Sequence, residues 1–211
     1  KRMTKKMTQA GREIRFQFLS VLSHELKSPI NAVEGYLKIM QEKQAGNNID
    51  DYQAMIDRSL VRIKGMRSLI IDLLDLTKIE TGSKTRNVVK TDLNEIARMT
   101  IDSLEPIAIQ KNVKIYFDSE ESVMFNADKS EIEIIFNNLV SNAIKYNIEG
   151  GKVFFNIIKL EKDIKVTVED TGIGMTEEDI SKLFNDFVRI KNSKTKDISG
   201  SGLGLSIIKK M

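Results

Sequence analysis

The chain has 211 residues, of which 41% are hydrophobic and 30% are charged, and its formal net charge is +3. This length suits one large domain or two small ones, and the small net charge offers no broad basic surface for nucleic acid. The chain has no cysteine and one histidine, which excludes disulfides and thiol nucleophiles and nearly excludes a zinc site. No apolar run approaches the roughly 18–20 residues that cross a bilayer, and no signal peptide is visible.

The first predicted element is a long helix that runs from about Met3 to about Gln44. Apolar residues recur in it at heptad-like spacing, which calls for a partner helix; they are Met3, Met7, Ala10, Ile14, Phe18 and Val21. Pro29 lies inside this helix and is expected to bend it, because proline removes a backbone donor. The single histidine, His24, is followed directly by Glu25. By itself this histidine fits an inert helix surface as well as a reactive imidazole.

A turn is predicted at Ala45–Asp50, with Asp50 capping a second long helix that ends near Glu80. The apolar face of this second helix consists of Ile56, Ile63, Met66, Ile70 and Leu73. The two helices would form an antiparallel hairpin, and two such hairpins would close a four-helix bundle. The pattern therefore predicts a homodimer; the alternative is a monomeric hairpin packed on the rest of the chain.

The composition changes after the linker segment Thr81–Thr85. The predicted elements then follow in the order helix, strand, strand, helix, strand, strand, helix and helix; they cover Thr91 to about Gln110, Val113–Asp118, Ser122–Asn126, Lys129–Lys145, Lys152–Leu160, Asp163–Glu169, about Glu177 to Phe184, and a last helix from about Leu203. The strand near 163–169 alternates, with Ile164, Val166 and Val168 pointing inward. The fold class is therefore α plus α/β, a helical hairpin followed by a two-layer α/β sandwich. We expect the hairpin to span residues 1–81, the linker 82–90 and the sandwich 91–211.

Three clusters in the second half are candidates for binding a nucleotide. Asn138, Asn142, Lys145 and Tyr146 share one helical face, where amide oxygens suit Mg²⁺ and the lysine suits phosphate. The second cluster, Asp170 to Met175, places a carboxylate and two glycines directly after a strand. The third, Gly200 to Ser206, frees backbone N–H groups at a helix start, where anions are favoured. Taken separately, these clusters also fit a solvated face, a tight turn and a flexible connector.

In this order and spacing, the motifs resemble those of bacterial sensor histidine kinases of two-component systems. The resemblance covers nearly the whole chain. The family's H box matches His24 to Pro29, its N box Asn138 to Tyr146, and its first glycine box Asp170 to Gly174. Its F box matches Phe184 to Phe187, and its second glycine box Gly200 to Gly204. Between these last two boxes, Ile190–Ser199 is rich in Lys, Ser and Thr, as a mobile lid would be.

The resemblance implies a role for each matched residue. His24 would attack the γ-phosphoryl group of ATP, and Glu25 would accept or polarise the proton of the other ring nitrogen. Asn142 would coordinate Mg²⁺, and Asp170 would bind the adenine amine. Lys145 and Arg189 would neutralise charge on the transferring group. The full set of implied nucleotide-binding residues is Asn138, Asn142, Lys145, Tyr146, Asp170, Gly172, Gly174, Phe187, Arg189, Gly202, Leu203 and Gly204.

The implied activity is autophosphorylation of His24 with ATP, followed by transfer to an aspartate on the receiver domain of a response regulator. Since His24 would lie on the dimer stalk, it would have to reach the ATP site through movement across Thr81–Thr85. Ser28 stands where the family often has Thr or Asn, a position tied to dephosphorylating the regulator; serine keeps the hydroxyl that this activity uses.

The chain ends at Met211, inside its last predicted helix. The family that it resembles normally continues into a further strand there and has a sensor domain before the hairpin, and we expect neither among these residues. We therefore expect a fragment whose ATP-binding domain is incomplete at the C-terminus. It would be the cytoplasmic portion of a membrane-anchored kinase, with membrane contact only through segments outside this sequence.

Two other functions share parts of this pattern. ATPases such as gyrase, mismatch-repair proteins and heat-shock chaperones use the same nucleotide fold, but they need no histidine-bearing hairpin. A silent scaffold that dimerises and binds partners needs neither Asn142 nor Asp170. The histidine kinase is therefore the favoured interpretation.

Overall fold

The computed structural model describes residues 2–81, 85–119, 122–184, 190, 195, 200 and 202–211, with side chains from residue 22 onward. The chain divides into two compact units, Lys1–Ile71 and Asp72–Met211. No helix among the described residues combines the length and the apolar character that a membrane span requires.

The first unit is a helical hairpin. Helix α1, Arg2–Gln41, continues through Pro29, and helix α2, Gln53–Glu80, runs on into the second unit. The expected stripe from Met3 to Val21 consists of side chains outside the described ones. The two predicted helices are confirmed, although α1 ends three residues earlier than expected.

The turn between the helices differs in detail from the prediction. Asp50 does not cap α2; it lies inside a short 3₁₀ helix, Ile49–Tyr52, that Asn48 precedes. The Asn48 N–H donates to the Asp51 carboxylate at 3.1 Å. The buried Tyr52 donates its hydroxyl to the carbonyl of Gly46 at 2.7 Å. Because this hydrogen bond holds Tyr52 against the turn, a short 3₁₀ helix precedes α2. The capping position is therefore at Asn48, two residues before the predicted Asp50.

The second unit is built from helices and a mixed set of strands. The helices are α3, Leu93–Gln110, α4, Lys129–Lys145, α5, Glu177–Lys182, and α6, Gly204–Lys210. The strands are β1, Val88–Asp92, β2, Lys114–Ser119, β3, Met124–Asp128, β4, Lys152–Lys159, and β5, Ile164–Asp170. β1 pairs antiparallel with β3, while β4 pairs parallel with β2 and antiparallel with β5.

Helices α3 and α4 pack on one face of the β2–β4–β5 sheet. The core between them contains Ile96, Phe136, Val140, Phe155 and Ile157, each at most 1% exposed. Phe136 meets Phe155 edge to face at 5.1 Å between ring centroids. The predicted two-layer sandwich is confirmed, and Ile164, Val166 and Val168 of β5 pack against this core as the alternation indicated.

Strand β1 was not predicted from the sequence. Residues 88–90, assigned to the linker, form its first half and pair with residues 126–128. Val88 and Val89 are both exposed, so this strand lacks the alternating burial by which a strand is recognised in a sequence. The expected domain boundaries stay a prediction.

Asp128 caps helix α4 and joins it to the chain before β1. One carboxylate oxygen accepts from the Ser130 hydroxyl at 2.6 Å and from the Ser130 N–H at 2.9 Å. The other oxygen accepts from the Asn87 N–H at 2.8 Å. These hydrogen bonds, the Ser130 hydroxyl first, lower the pKa of Asp128 to about 2. The charged carboxylate is thus favoured in the folded chain.

We predict that Asp128→Ala lowers the free energy of unfolding by about 1–2 kcal/mol at pH 7, the usual cost of losing a helix cap. A carboxyl group whose pKa is lower in the folded than in the unfolded chain stabilises above the unfolded value of about 4. This contribution should shrink as the pH falls from about 4 to about 2. Denaturant titrations between pH 7 and pH 2 measure it.

The matched control is Asp102→Ala, which removes an exposed carboxylate from α3. Its effect should stay within about 0.5 kcal/mol, as for most surface substitutions. A loss at Asp128→Ala that is equally large at pH 7 and at pH 2 would contradict the assignment to the charged carboxylate.

Candidate functional site

The histidine lies on the exposed surface of α1. His24 and Ser28 are exposed and one helical turn apart, so both side chains lie on the same face. Glu25 is half-buried. Within the described part of the chain, no hydrogen bond joins His24 to Glu25, and the role expected for Glu25 stays a prediction. This arrangement presents the imidazole to an incoming reactant.

Helix α4 carries the four predicted residues of the asparagine cluster. Asn138, Asn142 and Lys145 are half-buried on it, and Tyr146 is its C-terminal cap. The Asn138 amide donates to the carbonyl of Ile134 at 2.9 Å. The Asn142 side chain makes no hydrogen bond with any residue that the structure describes. Asn142 is therefore the member of this cluster whose amide is available to a ligand.

The first glycine turn packs on the C-terminal end of α4. The Ile173 N–H donates to the carbonyl of Tyr146 at 3.0 Å. A Cβ on Gly172 would lie 2.3 Å from the same carbonyl oxygen, so a larger residue would push the turn away from the helix. Asp170 is exposed and accepts the Gly172 N–H at 2.8 Å. The turn thus holds the carboxylate beside the end of α4.

The second glycine segment lies along the same helix. A Cβ on Gly204, the first residue of α6, would lie 2.3 Å from the Asn138 side-chain oxygen. A Cβ on Gly200 would lie 3.6 Å from the Lys145 Nζ atom. Gly202 has φ of +72° and Gly174 has φ of +65°, a backbone region that favours glycine. Leu203, which lies between Gly202 and Gly204, is fully buried.

The structure therefore brings most of the predicted nucleotide-binding residues together around one helix. α4 is contacted at its C-terminal end by the Asp170 turn and along its side by the start of α6. Phe187 and Arg189 lie outside the described residues, as does most of the expected lid Ile190–Ser199. The positions of these two residues therefore stay predictions.

The donor set fits a nucleotide with a magnesium ion. The Asn142 amide oxygen, which has no hydrogen-bond partner among the described residues, is a ligand type that Mg²⁺ accepts. The Lys145 ammonium stands beside the backbone at Gly200, where a glycine lets a phosphate come close. Asp170 adds an exposed acceptor on the turn that packs against the C-terminal end of α4.

Sequence reasoning missed two residues, Asn147 and Lys111, that hold this cluster in place. Asn147 is 4% exposed and joins the end of α4 to β4 and to Thr171. Lys111 donates from its Nζ atom to the carbonyl of Lys145, where a cation suits the C-terminus of α4. Burial lowers the pKa of Lys111. An asparagine two residues after the last turn of a polar helix was the available signal for Asn147.

Two known families match the chain, one in each half. Residues 14–82 match the His Kinase A (phospho-acceptor) domain. Residues 127–211 match the family described as histidine kinase-, DNA gyrase B-, and HSP90-like ATPase.

Curated relatives match over almost the whole chain. Sensor histidine kinase GacS of Pseudomonas protegens is 31% identical over 98% of this chain and 23% of its own length. Sensor histidine kinase WalK of Bacillus subtilis is also 31% identical, over 98% of this chain and 33% of its own length. The chain thus spans a third or less of the length of these relatives.

Solved structures share the fold. Histidine kinase AdeS of Acinetobacter baumannii superposes with a TM-score of 0.71 at 22% identity, over 89% of this chain and 84% of that one. The catalytic domain of histidine kinase ThkA gives a TM-score of 0.53 at 30% identity, over 59% of this chain and 78% of that one. A structure of ThkA in complex with response regulator protein TrrA gives 0.68 at 23% identity, over 90% of this chain and 56% of that one.

Proposed function

Because the chain belongs to the sensor histidine kinases of two-component systems, we propose that it phosphorylates its own His24 with ATP and passes the phosphoryl group to a response regulator. The observation that carries the proposal is the combination of an exposed histidine on a hairpin helix with an asparagine helix lined by two glycine segments. The first half supplies the acceptor and the second half binds the donor.

The chemistry needs an imidazole that is free to attack. A ring nitrogen of His24 forms a bond to the γ-phosphorus of ATP, the bond from that phosphorus to the bridging oxygen breaks, and ADP leaves. The proton on the other ring nitrogen passes to Glu25 or to water. In a second transfer the bond from His24 to phosphorus breaks as an aspartate carboxylate of the regulator takes the phosphoryl group, and the ring takes back a proton from Glu25 or water to restore the neutral imidazole. Exposure of His24 serves both steps, since each reactant arrives from outside α1.

The second unit binds the nucleotide along α4. Asp170 accepts the adenine amine, and Lys145 with Arg189 neutralises charge on the transferring phosphoryl group. Asn142, with Asn138 beside it, would hold Mg²⁺, which supplies charge neutralisation on the phosphates when bound.

The remaining contacts to ATP come from a wider set of residues. Tyr146 lies along the nucleotide. The glycines and their neighbours frame base and phosphates; they are Gly172, Gly174, Phe187, Gly202, Leu203 and Gly204.

The partner of the second step is the receiver domain of a response regulator. The solved complex of ThkA with the regulator TrrA supports this proposal. Ser28, exposed on the His24 face one turn away, carries the hydroxyl through which the chain would also dephosphorylate its regulator. The chain is also proposed to be the cytoplasmic part of a membrane-anchored kinase; its curated relatives include proteins named as sensor histidine kinases.

The ATPases that share the second domain are the second candidate. They hydrolyse ATP without a covalent protein intermediate. The match of residues 14–82 to a phospho-acceptor domain favours the kinase, because a plain ATPase has no use for that segment.

We predict that the chain, incubated with γ-labelled ATP and Mg²⁺, acquires label that is lost in acid and kept in base, as expected for a phosphoramidate. His24→Ala should remove this label completely, because the chain has no other histidine. Steady phosphate release without labelling of the chain would favour the ATPase class. If the chain binds no nucleotide, the remaining interpretation is the silent scaffold.

A second variant, Asn142→Ala, tests the nucleotide site and leaves His24 unchanged. It should abolish labelling and weaken binding of ATP with Mg²⁺, while the oligomeric state remains that of the wild type. Labelling that survives in this variant would show that the assignment of Asn142 to Mg²⁺ is wrong.

Homodimerisation of the hairpin is also proposed. Ile63 and Ile70, two residues of the predicted apolar face, are 47% and 45% exposed in the single chain. Further exposed apolar side chains occur on both helices; they are Ile30, Leu37, Leu60, Val61, Ile71 and Leu74. So much apolar surface on one hairpin calls for a partner, and a second hairpin buries it by closing a four-helix bundle.

We predict that Ile63→Glu shifts the chain from dimer to monomer. An unpaired carboxylate in a bundle interior costs several kcal/mol, so the dimer dissociation constant should rise by at least ~100-fold. Sedimentation equilibrium across a concentration series measures it. Ser68→Glu adds the same charge at an exposed position away from this stripe and should leave the dimer intact. A dimer in Ile63→Glu as tight as in the wild type would contradict this interface.

A further inference from the structure

A buried asparagine outside the predicted motifs joins helix α4 of the candidate nucleotide site to the turn that carries Asp170. The Asn147 amide donates to the carbonyl of Lys152 at 2.9 Å, at the start of β4. Its side-chain oxygen accepts from the Ile148 N–H at 3.0 Å and from the Thr171 hydroxyl at 3.2 Å. One side chain thus connects the end of α4, the start of β4 and the turn after β5.

Thr171 completes this connection from the other side. Its hydroxyl oxygen accepts the Lys152 N–H at 2.9 Å, and its own N–H donates to the carbonyl of Lys152 at 3.1 Å. The packing leaves no space for a larger group, since a Cβ on Gly151 would lie 2.0 Å from the Asn147 oxygen and 2.9 Å from the Thr171 hydroxyl. The backbone of Thr171 is therefore held at a set distance from α4.

The residue directly before Thr171 is Asp170, whose carboxylate already accepts the Gly172 N–H. With Thr171 joined to Asn147 and Ile173 joined to the Tyr146 carbonyl, the turn is attached to α4 on both sides of Gly172. The pair Asn147–Thr171 is thus the side-chain contact that, together with these backbone hydrogen bonds, holds the Asp170 carboxylate in place relative to Asn142 and Lys145.

We infer that Asn147 and Thr171 are positioning residues that set the purine preference of the nucleotide site. This inference rests on the proposed function, in which Asp170 accepts the adenine amine. A fixed carboxylate attracts the 6-amino donor of adenine and repels the 6-oxo acceptor of hypoxanthine. A carboxylate that moves loses both effects, so the site would bind ATP more weakly and discriminate less against inosine triphosphate.

The test uses two variants at Thr171, where the side chain is exposed enough for substitution. Thr171→Val keeps the shape and removes the hydroxyl, whereas Thr171→Ser keeps the hydroxyl. Dissociation constants for ATP and inosine triphosphate, with Mg²⁺, are measured on the whole chain by calorimetry. Thr171→Val should weaken ATP binding about tenfold and inosine triphosphate binding less than about twofold. Thr171→Ser should keep the wild-type ratio of the two constants.

A matched control distinguishes positioning from general stability. Ser119 donates to the buried Asn94 at 2.8 Å, a similar amide–hydroxyl pair on β2 and α3, which carry no candidate nucleotide residue. Ser119→Ala should lower the unfolding temperature and leave both dissociation constants unchanged. A Thr171→Val variant that loses affinity for both nucleotides equally, or for neither, would overturn the inference.

The inference and the proposed function fail separately. If the wild type binds ATP in preference to inosine triphosphate and Thr171→Val keeps that preference, the positioning role is wrong and the kinase proposal stands. If the wild type does not bind ATP, the kinase proposal fails first. Hydrogen exchange at the Ile173 amide without nucleotide should be faster in Thr171→Val than in Thr171→Ser, and equal rates would refute the positioning role independently of activity.

Discussion

The second unit depends on helix α4, which has two opposite faces. One face packs in the core, and the other carries the predicted nucleotide-binding residues. Phe136, Val140, Ala143 and Ile144 are buried at spacings of four, three and one residues, which is one side of a helix. Burial of each of the larger apolar side chains contributes on the order of 1.5–3 kcal/mol. This packing holds the helix against the sheet. Asn138, Asn142 and Lys145 repeat at the same period on the other side, so the core that fixes the helix also fixes them.

The glycines matter chiefly because of what they allow to approach α4. The usual expectation is that a glycine in such a site makes room for the ligand. At Gly172 and Gly204 the nearest atoms are instead the Tyr146 carbonyl and the Asn138 side-chain oxygen. These two glycines let segments of the chain itself come into contact with the helix. Gly200 and Gly202 remain the positions where backbone can face a phosphate.

Much of the fold and of the candidate site could be predicted from the sequence because periodicity records burial. The bounds of α4 and of both predicted β4 and β5 strands followed from runs in which apolar residues recur at a fixed period. The His24, Asn142 and Asp170 clusters were visible because polar residues and glycines interrupt such runs. Strand β1 was missed since Val88 and Val89 lie side by side and both face solvent.

The misplaced cap at Asp50 and the unnoticed Asn147 share a different cause. Both depend on hydrogen bonds between segments that are not neighbours in a periodic pattern: the Tyr52 hydroxyl reaches back six residues to Gly46, and Thr171 reaches Asn147 across 24 positions. The buried Asn147 amide makes three hydrogen bonds, two of them to other segments, at Lys152 and Thr171. Because a buried amide is costly to leave unpaired, these two segments are constrained to lie beside it. These hydrogen bonds form only in the tertiary structure. Asn147, which joins α4 to the turn after β5, therefore belongs to no sequence motif.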